Sequence, residues 1–519
     1  MSAVGTHANP ASSEPAASVS AGSIYRRLGV EPIINCAGVR TNYGGSNPLP
    51  EVLAAMEAAA TAFVDMDELM ASVGQQLGIA VGAEWGIVTT GSAAALALAT
   101  ASCLTGNDPE AMLALPQSGN QRGTVVMPSG HRFAYDHAIR MTGAEIRTVA
   151  TNTDLRHALG DAPAMLCTLG RKDLGDLGRF EDVADLCRRH DVPVLVDAAA
   201  QAPERPDPWL ERGADLVVYA GGKYVRGPQS TGFLLGSKAL TTTAWLHAAP
   251  HQAWGRPMKV GKEEIVGALV ALRNWLERDP ERDERRWSTH LAVIAADLNP
   301  LRAVSTRLLT GTSSTVVPRL QVSWDPAQRP ITSDEVRRRL MAHRPRVLVH
   351  DFWSTPASVT LDPFNLTTDE AAVVGKALRM VLDGPLPRKI SRSANQGLVI
   401  DVEGTWSVEM RFAHLRAEHR LLLVQAGASI RGRHFARSSS GEIEGHLESN
   451  KLFLMARHAG EPMARYYAFE GNVEGDEASG TLVLGASADE HLGPVFRAQF
   501  GTGTWRAVRS NVLHHARTL

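Results

Sequence analysis

The chain changes its hydrophobic rhythm along its length, and each rhythm predicts a different architecture. Between Gly86 and Gly236, short apolar runs alternate with amphipathic stretches: Ile87-Val88-Thr89, Thr124 to Met127, Glu145 to Val149, Ala164 to Cys167, Val192 to Val196, Ala214 to Tyr219 and Gly232 to Gly236. Most of these runs are continuously apolar, as strands buried on both faces are, and the helices between them supply the cover. The pattern predicts an α/β fold with a mainly parallel seven-stranded sheet and helices on both faces. Two helices precede it, Pro50 to Phe63, opening with proline where a helix tolerates it, and Asp67 to Val81. After the sheet, Ile265, Leu269, Leu272 and Leu276 make a helical stripe. Between residues 300 and 385, apolar runs at Thr315 to Val317, Arg346 to Val349 and Ser358 to Leu361 alternate with helices over 332–343 and 367–383, which predicts a small α/β domain. Beyond Pro385 the period falls to two. Runs at Gly404 to Met410, Arg420 to Val424, Gly441 to His446, Lys451 to Met455, Tyr466 to Gly471, Gly480 to Gly485 and Gly503 to Ala507 predict an antiparallel β-barrel or sandwich, its ends closed by Trp406 and Trp505.

These shifts divide the chain into a disordered tail over 1–22, an arm over 23–49, a large domain over 50–261, and a linking helix with the small domain over 262–385. A linker over 386–400, carrying Pro387, Arg388 and Lys389, leads to a C-terminal β domain over 401–519. With 519 residues and 44% hydrophobic content, more than one sizeable core can be buried. The tail lacks the apolar run of a signal peptide, and no later segment stays apolar long enough to cross a bilayer. A formal charge of -2 gives no global field for nucleic acid or an anionic membrane. Cys36, Cys103, Cys167 and Cys187 lie among apolar neighbours without metal-type spacing. They read as core thiols of a cytoplasmic protein with no metal site.

A sheet of this kind binds its ligand at the carboxyl ends of its strands, so chemistry should follow the apolar runs. After the first comes Thr89-Thr90-Gly91-Ser92-Ala93-Ala94, whose amides and hydroxyls suit a phosphate at a helix N-terminus, or an ordinary helix cap. After the second come His131 and Phe133, either of which could lie flat on a cofactor ring or simply pack. Val196 is followed by Asp197, a carboxylate costly at an apolar strand end unless it caps a helix or pairs with a cation such as a pyridinium nitrogen. Tyr219-Ala220-Gly221-Gly222 then delivers Lys223 on a turn that Gly227-Pro228 closes. A lysine that condenses with an aldehyde cofactor needs such a fixed position and an amine of lowered pKa. Each signal alone is weak. Together they follow the chain order of a fold-type-I pyridoxal phosphate (PLP) enzyme.

Asn35-Cys36-Ala37-Gly38, the Gly44-Gly45-Ser46 step, Thr89 to Ala94, Val196 to Ala199, Gly222-Lys223 with Gly227-Pro228-Gln229, and Gly255-Arg256-Pro257-Met258-Lys259-Val260-Gly261-Lys262-Glu263-Glu264 resemble one branch of those enzymes. It is the family of selenocysteine synthase (L-seryl-tRNA selenium transferase) and D-glucosaminate-6-phosphate ammonia-lyase, and the resemblance spans about residues 23–385. It implies that Lys223 bonds to PLP, that Asp197 holds the pyridinium proton, that Gly91, Ser92 and Ala93 bind the phosphate and that Ala199 lies against the ring. Thr90, His131 and Thr231 complete the expected cofactor set. Arg256, Arg40 and Tyr43 are the substrate-binding candidates, with Arg346 read rather as a solvated arginine. The resemblance further implies active sites shared across a homodimer or higher homo-oligomer. The short tail stands where selenium transferases carry a tRNA-binding domain, which argues against a nucleic-acid substrate.

The expected activity is α,β-elimination on a small β-hydroxy amino acid or amino sugar acid, giving a 2-oxo acid and ammonia. Transamination, racemisation and a non-catalytic ligand-binding or assembly role are the alternatives. The C-terminal domain is weakly lipocalin-like, with a packed interior that extends the oligomer contact favoured over a ligand-holding one.

Overall fold

The computed structural model describes residues 22–117, 123–170, 172–310, 316–350, 354–384, 400–413, 415–460, 463–487 and 501–510. The expected tail over 1–22 lies outside the described residues as far as residue 21, and the expected linker over 386–400 as far as residue 399. The described residues of 22–45 and 279–384 form one compact unit, and those of 46–278 and 400–510 form another.

In the second unit the sheet consists of β1 (Trp85–Thr89), β2 (Thr124–Pro128), β3 (Glu145–Val149), β4 (Met165–Leu169), β5 (Val194–Asp197), β6 (Leu216–Ala220) and β7 (Gly232–Gly236). Their spatial order is β1-β7-β6-β5-β4-β2-β3, with β7 antiparallel to both neighbours and the other adjacent pairs parallel. Every residue of β4 and β7 is buried, which is why these runs are apolar without alternation. The alanine-rich helix Ser92–Thr105 is buried from Ala94 onward and packs against β6 and β7; small side chains let helix and sheet approach closely. Helix Lys262–Glu277, the linking helix, packs on the large domain against helix Pro50–Ala60. A Cβ on Gly267 would stand 2.6 Å from Met56 Cγ, so contact between the two helices depends on that missing side chain. Lys262 Nζ donates to Ala59 O at 2.9 Å, stabilising the carbonyl end of the earlier helix.

The C-terminal part of this unit is a closed antiparallel barrel of eight strands, running from Gly404–Arg411 to Gly501–Ser510, with the first and last paired. One strand, Ser429–Phe435, was not expected: it is short and arginine-rich, and Gly432 interrupts its alternation. Trp406 and Trp505 both point into the barrel core from these adjacent first and last strands, where their ring N–H groups donate to Val402 O and to Glu470 and Thr481 carbonyls. Apolar side chains make up most of the interior, together with buried His434 and His458.

In the other unit, Ile33–Cys36 pairs in parallel with Arg346–Val349, and Ser358–Leu361, Arg319–Trp324 and Val304–Leu309 make an antiparallel sheet. Helices Pro280–Leu298, Ser333–Ala342 and Thr368–Asp383 accompany them. The strand expected at Thr315 to Val317 is corrected: Thr315 lies outside the described residues, while Val317 is buried in a bend and pairing begins only at Arg319, after Pro318, which has no N–H to donate to a ladder. Among the described residues no helix is long and apolar enough to cross a membrane, no cluster of residues is suited to hold a metal ion, and all four cysteines are free and buried.

Candidate active site

Lys223 follows β6 by three residues, and a stack of close backbone approaches fixes its loop. A Cβ on Gly222 would stand 2.4 Å from Gln229 Cα, so only glycine lets the two limbs of the loop meet. Gly221 N–H donates to Thr231 O at 2.9 Å and Gly227 N–H to Gly221 O at 2.9 Å. Ser46 donates from its backbone to Gly222 O at 3.1 Å and from its hydroxyl to Lys223 O at 2.6 Å. The amine itself donates to Ala199 O at 2.8 Å.

That contact brings the lysine to the acid. Ala199 N–H donates to Asp197 Oδ1 at 2.9 Å, so Lys223 Nζ and the Asp197 carboxylate, on adjacent strand ends, lie within roughly 9 Å of each other. His131 stands beside them across β4. Leu169, in register with Asp197, donates its N–H to His131 Nδ1 at 3.0 Å, which leaves the proton on Nε2, and Nε2 donates to Asp173 O at 3.0 Å. Both edges of the buried imidazole are thereby held and its tautomer is fixed. Cys167, two residues before Leu169 on β4, has its thiol pushed well above the ordinary range by burial and, secondarily, by the Asp197 charge, so it stays protonated and inert.

The turn expected to bind phosphate is also in place. Gly91 (φ 86°, ψ 159°) begins helix Ser92–Thr105 in a conformation essentially restricted to glycine, and no side chain caps the helix. The turn presses on the strand that returns from the lysine loop: a Cβ on Gly232 would stand 2.4 Å from Ser92 N, and one on Gly91 would stand 3.6 Å from Ser230 O. Thr90, Gly91 and Ser92 are half-buried and Ala93 is exposed. A cradle lined by glycine, with uncapped amides at the positive end of a helix, fits a phosphate group. Thr231 is buried, its hydroxyl donating to Pro228 O at 2.7 Å and its side chain filling the space beside Gly221, so the structure engages it in shaping the loop.

Of the substrate candidates, Arg256 is half-buried, and its Nε is buried without a hydrogen-bond partner among the described residues. Arg40 and Tyr43 belong to the other unit, where Arg40 Nη2 donates to His350 Nδ1 at 3.0 Å. Arg346 is not the solvated arginine expected: half-buried itself, it opens a strand whose other three residues are buried, and its Nε is likewise buried and unpartnered among the described residues. Two residues of this region escaped the sequence reading, Ser46 and Glu264. The Glu264 carboxylate accepts from the Ser230 hydroxyl and from Gly261 N–H at 3.0 Å, tying helix Lys262–Glu277 to the segment that leads into β7. Both lay inside quoted motifs, but their partners are distant in sequence.

A seven-stranded sheet in this order, with an acid and a lysine on neighbouring strand ends and an uncapped glycine turn beside them, is the architecture of a fold-type-I PLP enzyme. No protein-family model matches the chain. It is 30% identical to 5'-C-glycyluridine monooxygenase-decarboxylase of a Streptomyces species over 373 residues, 69% of this chain and 92% of that protein. It is 28% identical to D-glucosaminate-6-phosphate ammonia lyase of Salmonella typhimurium over 374 residues, 70% of this chain and 98% of that protein. A solved structure of D-glucosaminate-6-phosphate ammonia-lyase superposes with a TM-score of 0.62 at 26% identity, covering 69% of this chain and 98% of that one. L-seryl-tRNA(Sec) selenium transferase of Proteus mirabilis is 25% identical over 292 residues, half of this chain. The chain belongs to the fold-type-I, PLP-dependent family of the ammonia lyase and selenocysteine synthase. The monooxygenase-decarboxylase relative was not anticipated from the sequence.

Proposed function

We propose that the protein is a PLP-dependent lyase that converts a small β-hydroxy amino acid or amino sugar acid to its 2-oxo acid and ammonia. The observation that carries this reading is Lys223 reaching the turn after Asp197, in a scaffold that superposes on almost the whole of an ammonia-lyase. Lys223 would bond the cofactor aldehyde, Asp197 would sit at its ring nitrogen, Thr90, Gly91, Ser92 and Ala93 would hold its phosphate, and His131, Ala199 and Thr231 would border it. When bound, PLP supplies an electron sink for the carbanion formed at the substrate α-carbon.

The chain's own groups account for the rest. Lys223 Nζ, free of the cofactor once substrate is bound, would take the α-proton as general base. The Asp197 carboxylate, held by the Ala199 N–H, would keep a ring nitrogen beside it protonated. Arg256, with a buried donor and no protein partner described, is the group that would anchor a substrate carboxylate or phosphate. Loss of the β-hydroxyl as water and hydrolysis of the resulting enamine balance as R–CH(OH)–CH(NH3+)–COO− to R–CH2–CO–COO− plus ammonium.

The test is incubation of the PLP-loaded protein with β-hydroxy amino acids and amino sugar acids, without an amino acceptor, while ammonia and 2-oxo acid are measured. Equal amounts of both support the reading. Product only when a 2-oxo acid acceptor is added means a transaminase, and loss of optical activity without ammonia means a racemase. The similarity to a monooxygenase-decarboxylase favours a second reading, in which the deprotonated α-carbon reacts with oxygen first and the carboxylate then leaves as carbon dioxide, R–CH(NH3+)–COO− and O2 giving R–CO–NH2, CO2 and H2O. Consumption of oxygen with release of carbon dioxide from a glycyl-type substrate would establish that one instead.

A further inference from the structure

We infer that Ser46 is a positioning residue for Lys223, an inference that rests on the reading of Lys223 as the cofactor-bonding lysine. The two carbonyls flanking the Lys223 α-carbon both accept from this one residue. Gly222 O takes the Ser46 backbone N–H at 3.1 Å, with the hydroxyl also 3.1 Å away, and Lys223 O takes the hydroxyl at 2.6 Å. Ser46 is only 4% exposed, so water does not compete for these bonds. The neighbouring residue closes the tie from the other side: Arg226 Nε donates to Asn47 O at 2.8 Å. Residues 46 and 47 therefore hold the lysine loop by donating to its front and accepting from its back.

The glycines around Lys223 make this external hold necessary. Gly221 and Gly222 allow the loop to pack closely, but they do not restrict its backbone, and a lysine side chain has four further rotatable bonds. The amine reaches Ala199 O at 2.8 Å only if the lysine α-carbon is fixed. Arg226 N–H also donates to Lys223 O, at 3.1 Å, from within the loop itself; Ser46 ties the loop to a segment outside it. Removing the hydroxyl leaves Lys223 O short of its closest donor and lets the amine sample positions away from the acid.

The experiment compares Ser46→Ala, Ser46→Thr and Ser46→Cys with the unsubstituted full chain, each loaded with PLP. Three quantities are read: the pH midpoint of the bound cofactor's visible absorbance, the rate at which borohydride fixes PLP to the Lys223 peptide by mass spectrometry, and the melting temperature. In the alanine variant the midpoint should move by about half a pH unit or more. Labelling of Lys223 should slow by about five-fold or more, with the melting temperature little changed. Threonine, which keeps the hydroxyl, should restore both readouts. Should the alanine variant not fold, the cysteine variant, similar in size but a weak donor, must show the same displacement. A midpoint and labelling rate equal to those of the unsubstituted chain, or displaced equally by alanine and threonine, would overturn the role of Ser46. Labelling of a different lysine in the unsubstituted chain would overturn the assignment of Lys223, and the role of Ser46 with it.

Discussion

The barrel interior holds a row of imidazoles whose titration should control its stability. His419 Nδ1 lies 2.8 Å from His434 Nε2, His434 Nδ1 lies 3.0 Å from His458 Nε2, and His458 Nδ1 lies 2.8 Å from Ser439 Oγ, which accepts from Arg465 at 2.8 Å. The Tyr467 ring stands 4.6 Å from that of His434, and the Phe469 ring, stacked beside Tyr467, stands 5.6 Å from the His434 ring. Gly441 makes room for the row, since a Cβ there would stand 2.3 Å from the His458 ring. With no carboxylate in the row, protonation would bury positive charge next to Arg465. Burial, then the charges of His419 and His458, push His434 down to about 2, and burial with Arg465 and His419 pushes His458 down to about 4. Both lie below the ordinary imidazole value, so the unfolded chain takes up protons first as pH falls. The barrel is then fully stable above about pH 6.5 and loses stability below it, with both residues contributing down to about pH 4. Each imidazole held neutral costs about 1.4 kcal/mol per pH unit, so two of them cost roughly 4 kcal/mol between pH 6.5 and pH 5. That is a large share of a domain's typical 5–15 kcal/mol. Hydrogen exchange of the amides in 429–458, corrected for intrinsic rates, measures the loss, and exchange at the imidazole C2 positions gives each histidine's own titration. A His434 that titrates near 6.5, or a barrel equally protected at pH 7 and pH 5, would refute the reasoning.

Three further outcomes concern the site. Lys223→Ala should lose PLP fixation by borohydride and lower turnover by roughly 10²- to 10⁴-fold, the range for a positioned general base; unchanged fixation would place the chemistry on another lysine. Asp197→Asn removes the charge while keeping the Ala199 N–H acceptor, so the fold should persist while turnover falls and the cofactor's absorbance spectrum changes; full activity would show that the ring nitrogen has another partner. Gly232→Ala puts a methyl group 2.4 Å from Ser92 N, which should cost about 1–3 kcal/mol of stability and raise the dissociation constant for PLP by equilibrium titration. If affinity is unchanged, the phosphate does not bind at this turn.

What could be read from the sequence follows from how far each residue's meaning depends on distant partners. Lys223, Asp197 and the Gly91-Ser92 turn were legible because each ends an apolar run, and a sheet of this class concentrates its chemistry at strand ends whatever else surrounds them. Ser46 and Glu264 were not, because a serine or glutamate in a motif gains its role only when Lys223 O or Ser230 folds up against it. The imidazoles at 419, 434 and 458 were hidden for the same reason: each occupies an inward position of its own strand, and only closure of the barrel makes them a row. Arg346 shows the converse error, in which a charged residue opening an apolar run is taken for a solvated one although the fold buries its Nε. The relatives extend this logic to the chemistry. An ammonia lyase and a monooxygenase-decarboxylase match this chain over nearly equal lengths and at nearly equal identity. On the proposed reading a lysine, an acid and a phosphate turn hold the cofactor, and the reaction is selected by groups that contact the substrate. Arg256, with its buried and unpartnered Nε, is the first of those to substitute, because an anion bound there would fix which bond of the substrate α-carbon stands perpendicular to the cofactor ring.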